Sequence, residues 1–358
     1  MSTPRFALEN RVGPEAIPVY ADIIDVRTPD EFGDDHVPGA VNCPVLSNEE
    51  RVRIGTLHAQ ASAFDAKKVG AALISRNIAG IVETWRAQPR EWAPLVYCWR
   101  GGQRSRSLTH VLNEIDWRAM QLDGGYRAYR RHVVDRLATL PARFGYRVVC
   151  GMTGSGKSRL LSALGAEGAQ VLDLEDLAKH RGSLLGDLPD QPQPSQKRFE
   201  SLLLATLERF DPKRPVIVES ESKRIGRLQV PDALLDGMRA APCLRVELAT
   251  AARVALLKEE YAHFLADTAL LAQRLAPLVP LHGKATIERW NAQAQRGEFD
   301  ALVESLLVEH YDPTYSRAIE RNFPNFPHAL VATPDGIDGE AFGRTARALV
   351  AALDDRAR

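Results

Sequence analysis

One stretch limits the folds open to this chain more than any other: Gly151-Met152-Thr153-Gly154-Ser155-Gly156-Lys157-Ser158. Ahead of it, Arg147-Val148-Val149-Cys150 has the apolar run of a short buried strand. Behind it, Leu160, Leu161 and Leu164 mark the apolar face of a helix. Gly-x4-Gly-Lys-Ser in that setting is a phosphate loop. The glycines let successive backbone N–H groups wrap a di- or triphosphate, Lys157 reaches the terminal phosphates, and Ser158 is a candidate Mg2+ ligand. Gly151, Gly154, Ser155, Gly156, Lys157 and Ser158 are therefore the expected phosphate-binding residues. A strand, loop and helix joined this way call for an α/β domain with a parallel sheet.

The residues that follow keep to that plan. Ala169–Leu174 reads as the second strand, ending in Asp173, Glu175 and Asp176, with His180–Ser183 beyond it, where small-molecule kinases bind their acceptor. Ser195 reads as the cap of a helix whose stripe is Phe199, Leu202, Leu203, Thr206, Leu207 and Phe210. Pro215–Glu219 stands where a Walker B strand belongs, but it closes in Glu219-Ser220-Glu221-Ser222 rather than the usual Asp. Asp173, Glu219 and Glu221 are the candidate acids, and nucleotide hydrolysis is in doubt. Cys243–Leu248 is a further strand, and residues from Ala251 to about His310 form a helical insertion. Within it Arg253, Lys258, Lys284 and Arg289 read singly as surface charges or lid cations. His328–Ala332 and a helix from Glu340 to Leu353 complete the unit.

A second stretch carries chemistry of another kind. Pro94-Leu95-Val96-Tyr97 reads as a buried strand, and Cys98-Trp99-Arg100-Gly101-Gly102-Gln103-Arg104-Ser105 leads from it into a helix. A cysteine there sits where backbone N–H groups converge, beside Arg100 and Arg104. That setting favours thiolate over thiol. Cys98, Arg100 and Arg104 are the expected catalytic residues. Cys43, Cys150 and Cys243 read as small buried hydrophobes.

With 358 residues, two domains are expected. Lys plus Arg and Asp plus Glu are equal at 46 each, which argues against a broadly basic nucleic-acid coat but leaves room for local patches. The cysteines have no disulfide or zinc spacing. The start, MSTPRFALEN, lacks the apolar core of a signal peptide, and no long uncharged run could span a bilayer. A cytoplasmic, membrane-free protein is expected.

Upstream, Asp25-Val26-Arg27, then Glu31-Phe32, then His36-Val37-Pro38-Gly39-Ala40-Val41-Asn42 precede the Cys98 loop, and Leu122-Asp123-Gly124-Gly125-Tyr126 follows it. In that order these markers resemble the rhodanese homology domain over residues 15–130. The resemblance implies that Cys98 carries chalcogen or attacks a chalcogen-bearing group, with Asp25, Arg27 and His36 structural rather than catalytic. Taken alone, Asp25 and Arg27 read as a surface ion pair and His36 as a turn residue capping a helix. One departure stands out. Five residues separate Cys98 from Arg104, one more than in common small rhodaneses, which widens the loop toward a tetrahedral oxyanion and keeps a Cys-x5-Arg phosphatase as an alternative.

Between the domains lie Arg127, Arg130, Arg131, Arg136, Arg143 and Arg147 against a single acid, Asp135. Residues 1–135 are thus read as a rhodanese-like α/β domain, 136–146 as a basic linker, and 147–358 as a P-loop NTPase-like α/β domain with the helical insertion at about 251–310. Arg127, Arg130, Arg131 and Arg136 form either a solvated face or a nucleic-acid contact.

The two domains together, with Gln193-Pro-Ser-Gln-Lys-Arg-Phe-Glu200 and Glu219-Ser-Glu-Ser-Lys-Arg-Ile-Gly226, resemble the tRNA 2-selenouridine synthase family over almost the whole chain. The resemblance implies a transferase that replaces the sulfur of wobble 2-thiouridine in tRNA with selenium from selenophosphate, through an S-geranyl intermediate made from geranyl diphosphate. It implies that Arg100 and Arg104 hold selenophosphate, that Cys98 receives or relays selenium, and that the basic junction holds tRNA. No tightly bound cofactor is expected beyond Mg2+ with the diphosphate. A monomer, supplied by a selenophosphate-making enzyme, is the expected state. A sulfurtransferase–kinase fusion acting on a small molecule remains the other alternative.

Overall fold

The computed structural model describes residues 10–355, so the leaderless start read from residues 1–9 lies outside the described residues. The chain forms two compact units. One runs up to Arg136 and takes in Pro194–Ala205; the other comprises Leu137–Gln193 and the chain from Thr206 onward. No helix among the described residues is long and apolar enough to cross a membrane.

In the first unit five short strands, β1 (Arg11–Val12), β2 (Ile23–Asp25), β3 (Val41–Asn42), β4 (Leu95–Tyr97) and β5 (Met120–Leu122), form a parallel sheet in the order β1-β5-β4-β2-β3. The strands β2 and β4 are buried on both faces, which explains why they read as unbroken apolar runs rather than alternating ones. The connecting helices are α1 (Pro29–Asp34), α2 (Asn48–Gln60), α3 (Ala63–Trp85), α4 (Gln103–Glu114) and α5 (Gly125–Thr139). Thr28 with Glu31, and Ser47 with Glu50, close capping boxes that start α1 and α2. Ile24, Val96, Leu108, Leu112, Ile78 and Trp117 share one core.

Two expectations need correction here. Asp25 and Arg27 are not a surface pair: their side chains are 0% and 1% exposed, joined by Nη2–Oδ2 at 2.6 Å and Nε bonds of 3.0 Å. The basic linker at 136–146 is not a linker either. The helix α5 runs to Thr139 and a 3-10 turn follows at Leu140–Arg143, because Leu137, Leu140, Pro141, Phe144 and Tyr146 are all buried.

In the second unit β6 (Tyr146–Cys150), β7 (Gln170–Leu172), β8 (Val216–Glu219), β11 (Cys243–Val246) and β12 (Leu330–Ala332) form a second parallel sheet, ordered β12-β11-β6-β8-β7. A small antiparallel pair, β9 (Arg224–Ile225) and β10 (Leu228–Gln229), lies outside it. The central strand β6 delivers the phosphate loop to α6 (Lys157–Ala166), which packs with the helix Gly339–Asp355 through Leu160, Leu164, Phe342 and Leu349. The strand β7 leads into α7 (Leu174–Ala178). The helical insertion continues past His310 through Asp312–Asn322, around a core holding the fully buried Trp290.

The helix α8 (Gln196–Leu207) follows in sequence, capped by Ser195 as read, since Ser195 Oγ accepts the Arg198 N–H at 3.0 Å. Its first turns belong with the first unit, not with the phosphate-loop unit in which the sequence places them. Lys197 reaches Asp34 at 2.7 Å, Arg198 donates to the His36 carbonyl at 3.0 Å, and Ser201 donates to Asp35 at 2.9 Å.

Candidate functional site

In the first unit the site is built around Cys98, which follows β4 and is 3% exposed. Its Sγ accepts two hydrogen bonds, from the Gly102 N–H at 3.2 Å and from Ser105 Oγ at 3.1 Å. A second layer fixes the serine. Gln121, from β5, donates through Nε2 to Ser105 Oγ at 2.7 Å and to the carbonyls of Gly101 and Gly102 at 3.0 and 3.2 Å. Carbonyls only accept, so the amide faces them with its nitrogen. With a lone pair of Ser105 and the Gly102 carbonyl both engaged, the serine proton goes to sulfur. The sulfur thus receives donors only.

The loop closes against the start of α5, where the N–H groups of Tyr126 and Arg127 donate to the carbonyls of Cys98 and Trp99 at 2.8 and 3.1 Å. Gly125 makes that approach with φ +60°, and a Cβ there would lie 2.2 Å from the Cys98 carbonyl oxygen and 2.4 Å from the Gly101 nitrogen. Gly125→Ala should therefore destabilise the first unit by at least about 2–3 kcal/mol and slow alkylation of Cys98. Gly39→Ala also meets positive φ, but nothing lies within 4 Å, so it should cost about 1 kcal/mol. Urea midpoints for the two variants check this, and equal losses would sink it.

Arg100 is exposed, whereas Arg104 forms a two-pronged pair with Glu31 at 2.6 and 3.1 Å. Burial alone would raise the Glu31 carboxyl, but the Arg104 fork holds it below the ordinary range. Trp99 stacks on Tyr126 with ring centroids 5.3 Å apart, and the Arg27 guanidinium lies 4.0 Å from the centre of the same Tyr126 ring. On α5, Arg127 and Arg131 are exposed, but Arg130 turns inward to pair with Glu200. Arg136 ends this unit half-buried.

In the second unit Gly151–Ser158 wraps the start of α6. Gly156 sits at φ +82° against Phe342, whose ring a Cβ would meet at 2.3 Å. Lys157 Nζ donates to the Gly151 carbonyl at 2.9 Å and lies 5.0 Å from the centre of the Tyr315 ring. Ser158 Oγ donates to Glu175 at 3.1 Å, and the Glu175 N–H donates to Glu219 at 2.8 Å. Arg253 is not a surface charge or a lid cation: its Nε donates to the Thr153 carbonyl at 2.9 Å while its fork pairs with Asp312 at 2.6 and 3.0 Å, pinning the loop. The side chain of Ser155 is buried, its hydroxyl without a hydrogen-bond partner among the described residues.

A cavity of about 590 Å³ opens from this loop. Lys157 and Ser158 form one end, Asp173, Glu175 and Glu221 one wall, and Leu257, Tyr261, Tyr311, Ile319 and Phe323 another. Burial, and then the neighbouring acids, push Glu219 far above the carboxylate range. Burial and Glu175 push Glu221 up to about 8, against the pull of Lys157. Burial likewise raises the Asp173 and Glu175 carboxyls, Glu175 against the pull of Lys157 and Ser158. Asp173 lines it while capping α7, accepting the Asp176 N–H at 2.7 Å.

Sequence reasoning had not singled out Ser105, Gln121, Glu31 or Tyr315 as site residues. Gln121 left one trace, a lone amide inside an apolar strand.

Comparison with known proteins adds the family context. Residues 8–132 match the rhodanese-like domain model, and residues 145–276 match a model described as the tRNA 2-selenouridine synthase AAA domain. A protein of Marinobacter nauticus named tRNA 2-selenouridine synthase is 36% identical, covering 82% of this chain and 87% of its own. One of that name from Alcanivorax borkumensis is 31% identical, over 84% and 90%. Another, from Nitrosomonas europaea, is 35% identical, over 72% and 67%.

Proposed function

Because the chain belongs to the tRNA 2-selenouridine synthase family, we propose that it converts wobble 2-thiouridine in tRNA to 2-selenouridine in two steps, one at each loop. Membership makes it a tRNA-modifying enzyme, and the substrates assigned to each loop are our reading. In the first step the thiocarbonyl sulfur attacks C1 of geranyl diphosphate. The C1–O bond breaks, diphosphate leaves, and the uridine N3 proton is lost. In the second step selenium from selenophosphate displaces geranylthiol.

The observation that carries this assignment is the cavity beside Gly151–Ser158. A diphosphate seated on the loop would leave its organic part against Leu257, Tyr261, Tyr311, Ile319 and Phe323, an apolar and aromatic wall suited to a short prenyl chain. Ser158 and Glu175 offer a hydroxyl and a carboxylate, hard oxygen donors that fit Mg2+ held alongside substrate phosphates. Bound there, Mg2+ would neutralise charge on the departing diphosphate. The Cys98 loop, with its converging N–H groups and exposed Arg100, suits selenophosphate. The exposed Arg127 and Arg131 are assigned to the tRNA backbone.

The test is nucleoside mass spectrometry on 2-thiouridine tRNA incubated with the protein, geranyl diphosphate and selenophosphate, each omitted in turn. Leaving out selenophosphate should build up the geranylated nucleoside, and leaving out geranyl diphosphate should leave 2-thiouridine unchanged. An unchanged nucleoside profile with both present would end this reading.

A further inference from the structure

Selenium in selenophosphate is already fully reduced and tied to phosphorus by one Se–P bond. Moving it onto Cys98 as a perselenide would join two nucleophilic atoms, which needs either an oxidant or the expulsion of a reduced phosphorus species. The proposed reaction supplies no oxidant. Direct attack of selenium on C2 of the geranylated uridine needs none. The Se–C bond forms, the C2–S bond breaks, geranylthiolate leaves and takes a proton, and the phosphoryl group stays on selenium. Product then requires that the Se–P bond be broken.

We propose that the Cys98 thiolate attacks this phosphorus and becomes a transient S-phosphocysteine, so that the first unit works as a phosphoryl-accepting site rather than a selenium carrier. This rests on the function proposed above. The S–P bond forms as the Se–P bond breaks, with the electron pair returning to selenium to leave 2-selenouridine. Water then cleaves the S–P bond, releasing phosphate and the thiolate.

Several features of the loop suit that task. Five residues lie between Cys98 and Arg104, which gives a cradle wide enough for a tetrahedral group. Gly102 precedes the helix α4 and offers no side-chain cap, so the N–H groups of the helix's first turn are left to the phosphoryl oxygens. Arg100, on the same loop, is exposed. At the base of the cradle the sulfur receives only donors, from Gly102 and from the serine held by Gln121. Those donors are placed to stabilise the charge that returns to sulfur as it leaves when water arrives.

The full-length Cys98→Ala variant, given pre-geranylated tRNA and selenophosphate, tests the assignment. A nucleoside bearing both selenium and a phosphoryl group should build up, while phosphate release falls at least about a hundredfold. A geranylated nucleoside left untouched, or 2-selenouridine formed at the wild-type rate, would overturn it. Ser105→Ala keeps the sulfur and gives a second route if the first variant fails to fold. It should slow phosphate release about tenfold and let the nucleoside bearing selenium and a phosphoryl group build up; an unchanged rate of phosphate release would equally overturn the proposal. Urea unfolding of the same variants, followed by tryptophan fluorescence, reports on folding of the first unit. A wild-type protein that forms no geranylated nucleoside would instead refute the function proposed above.

Discussion

Lys157→Ala is expected to cut geranyl transfer by about two to three orders of magnitude, the usual loss when one preorganised charge donor is removed from a leaving group. Selenium incorporation into tRNA that already carries the geranyl group should stay within about threefold of wild type, since Lys157 belongs to the second unit. The ammonium is held by the Gly151 carbonyl and the Tyr315 ring, both of which a diphosphate can supplement with stronger charge-assisted bonds. Removing it also takes a cation away from the wall formed by Glu175 and Glu221, which then holds its protons more firmly. Losing the ammonium weakens diphosphate departure, so the loss should fall on the transfer rate more than on tRNA affinity. Lys157→Arg should rescue little, because a planar fork does not fit a cradle shaped for a compact ammonium. Single-turnover rates on the two tRNA substrates would settle it. Equal losses in both steps would mean that the variant had lost its fold, not its chemistry.

The two loops were legible in the sequence because each is contiguous. Gly151–Ser158 and Cys98–Ser105 carry their glycines, cations and flanking strand and helix within a few residues, and the backbone does most of the work locally. What the sequence hid lies at long range. Glu31 claims Arg104 from a helix far upstream, Gln121 orients Ser105 from a neighbouring strand, and Tyr315 arrives from a helix beyond the point where the insertion was read as ending. The stripe on α8 announced an amphipathic helix, but periodicity does not say which core receives it, and its first turns went to the other unit. Arg130 looked like one of a row of cations for the same reason: nothing local signals that Glu200 will meet it.

The Asp25–Arg27 pair shows the cost of the opposite error, a local prior applied where tertiary context wins. Charged residues are seldom fully buried unless paired, so two of them at a strand end read as surface. In the folded chain the Arg27 side chain donates three bonds to Asp25 and one, at 2.7 Å, to the Asp35 carbonyl, and lies over Tyr126, the ring on which Trp99 of the cysteine loop stacks. Arg27→Leu should therefore destabilise the first unit by about 3–5 kcal/mol, because it leaves the Asp25 carboxylate buried without its partner. The double variant Asp25→Leu with Arg27→Leu removes both charges and should recover more than half of that loss, though not the bond to Asp35 or the contact with Tyr126. Four of the five tryptophans, Trp85, Trp92, Trp99 and Trp117, lie in this unit and Trp290 in the other, so urea unfolding followed by tryptophan fluorescence reads mainly this unit. If the double variant were no more stable than Arg27→Leu alone, the stranded carboxylate would not be the cause. The loss would then belong to the guanidinium's packing between Asp35 and Tyr126, and Cys98 alkylation should fall in both variants alike.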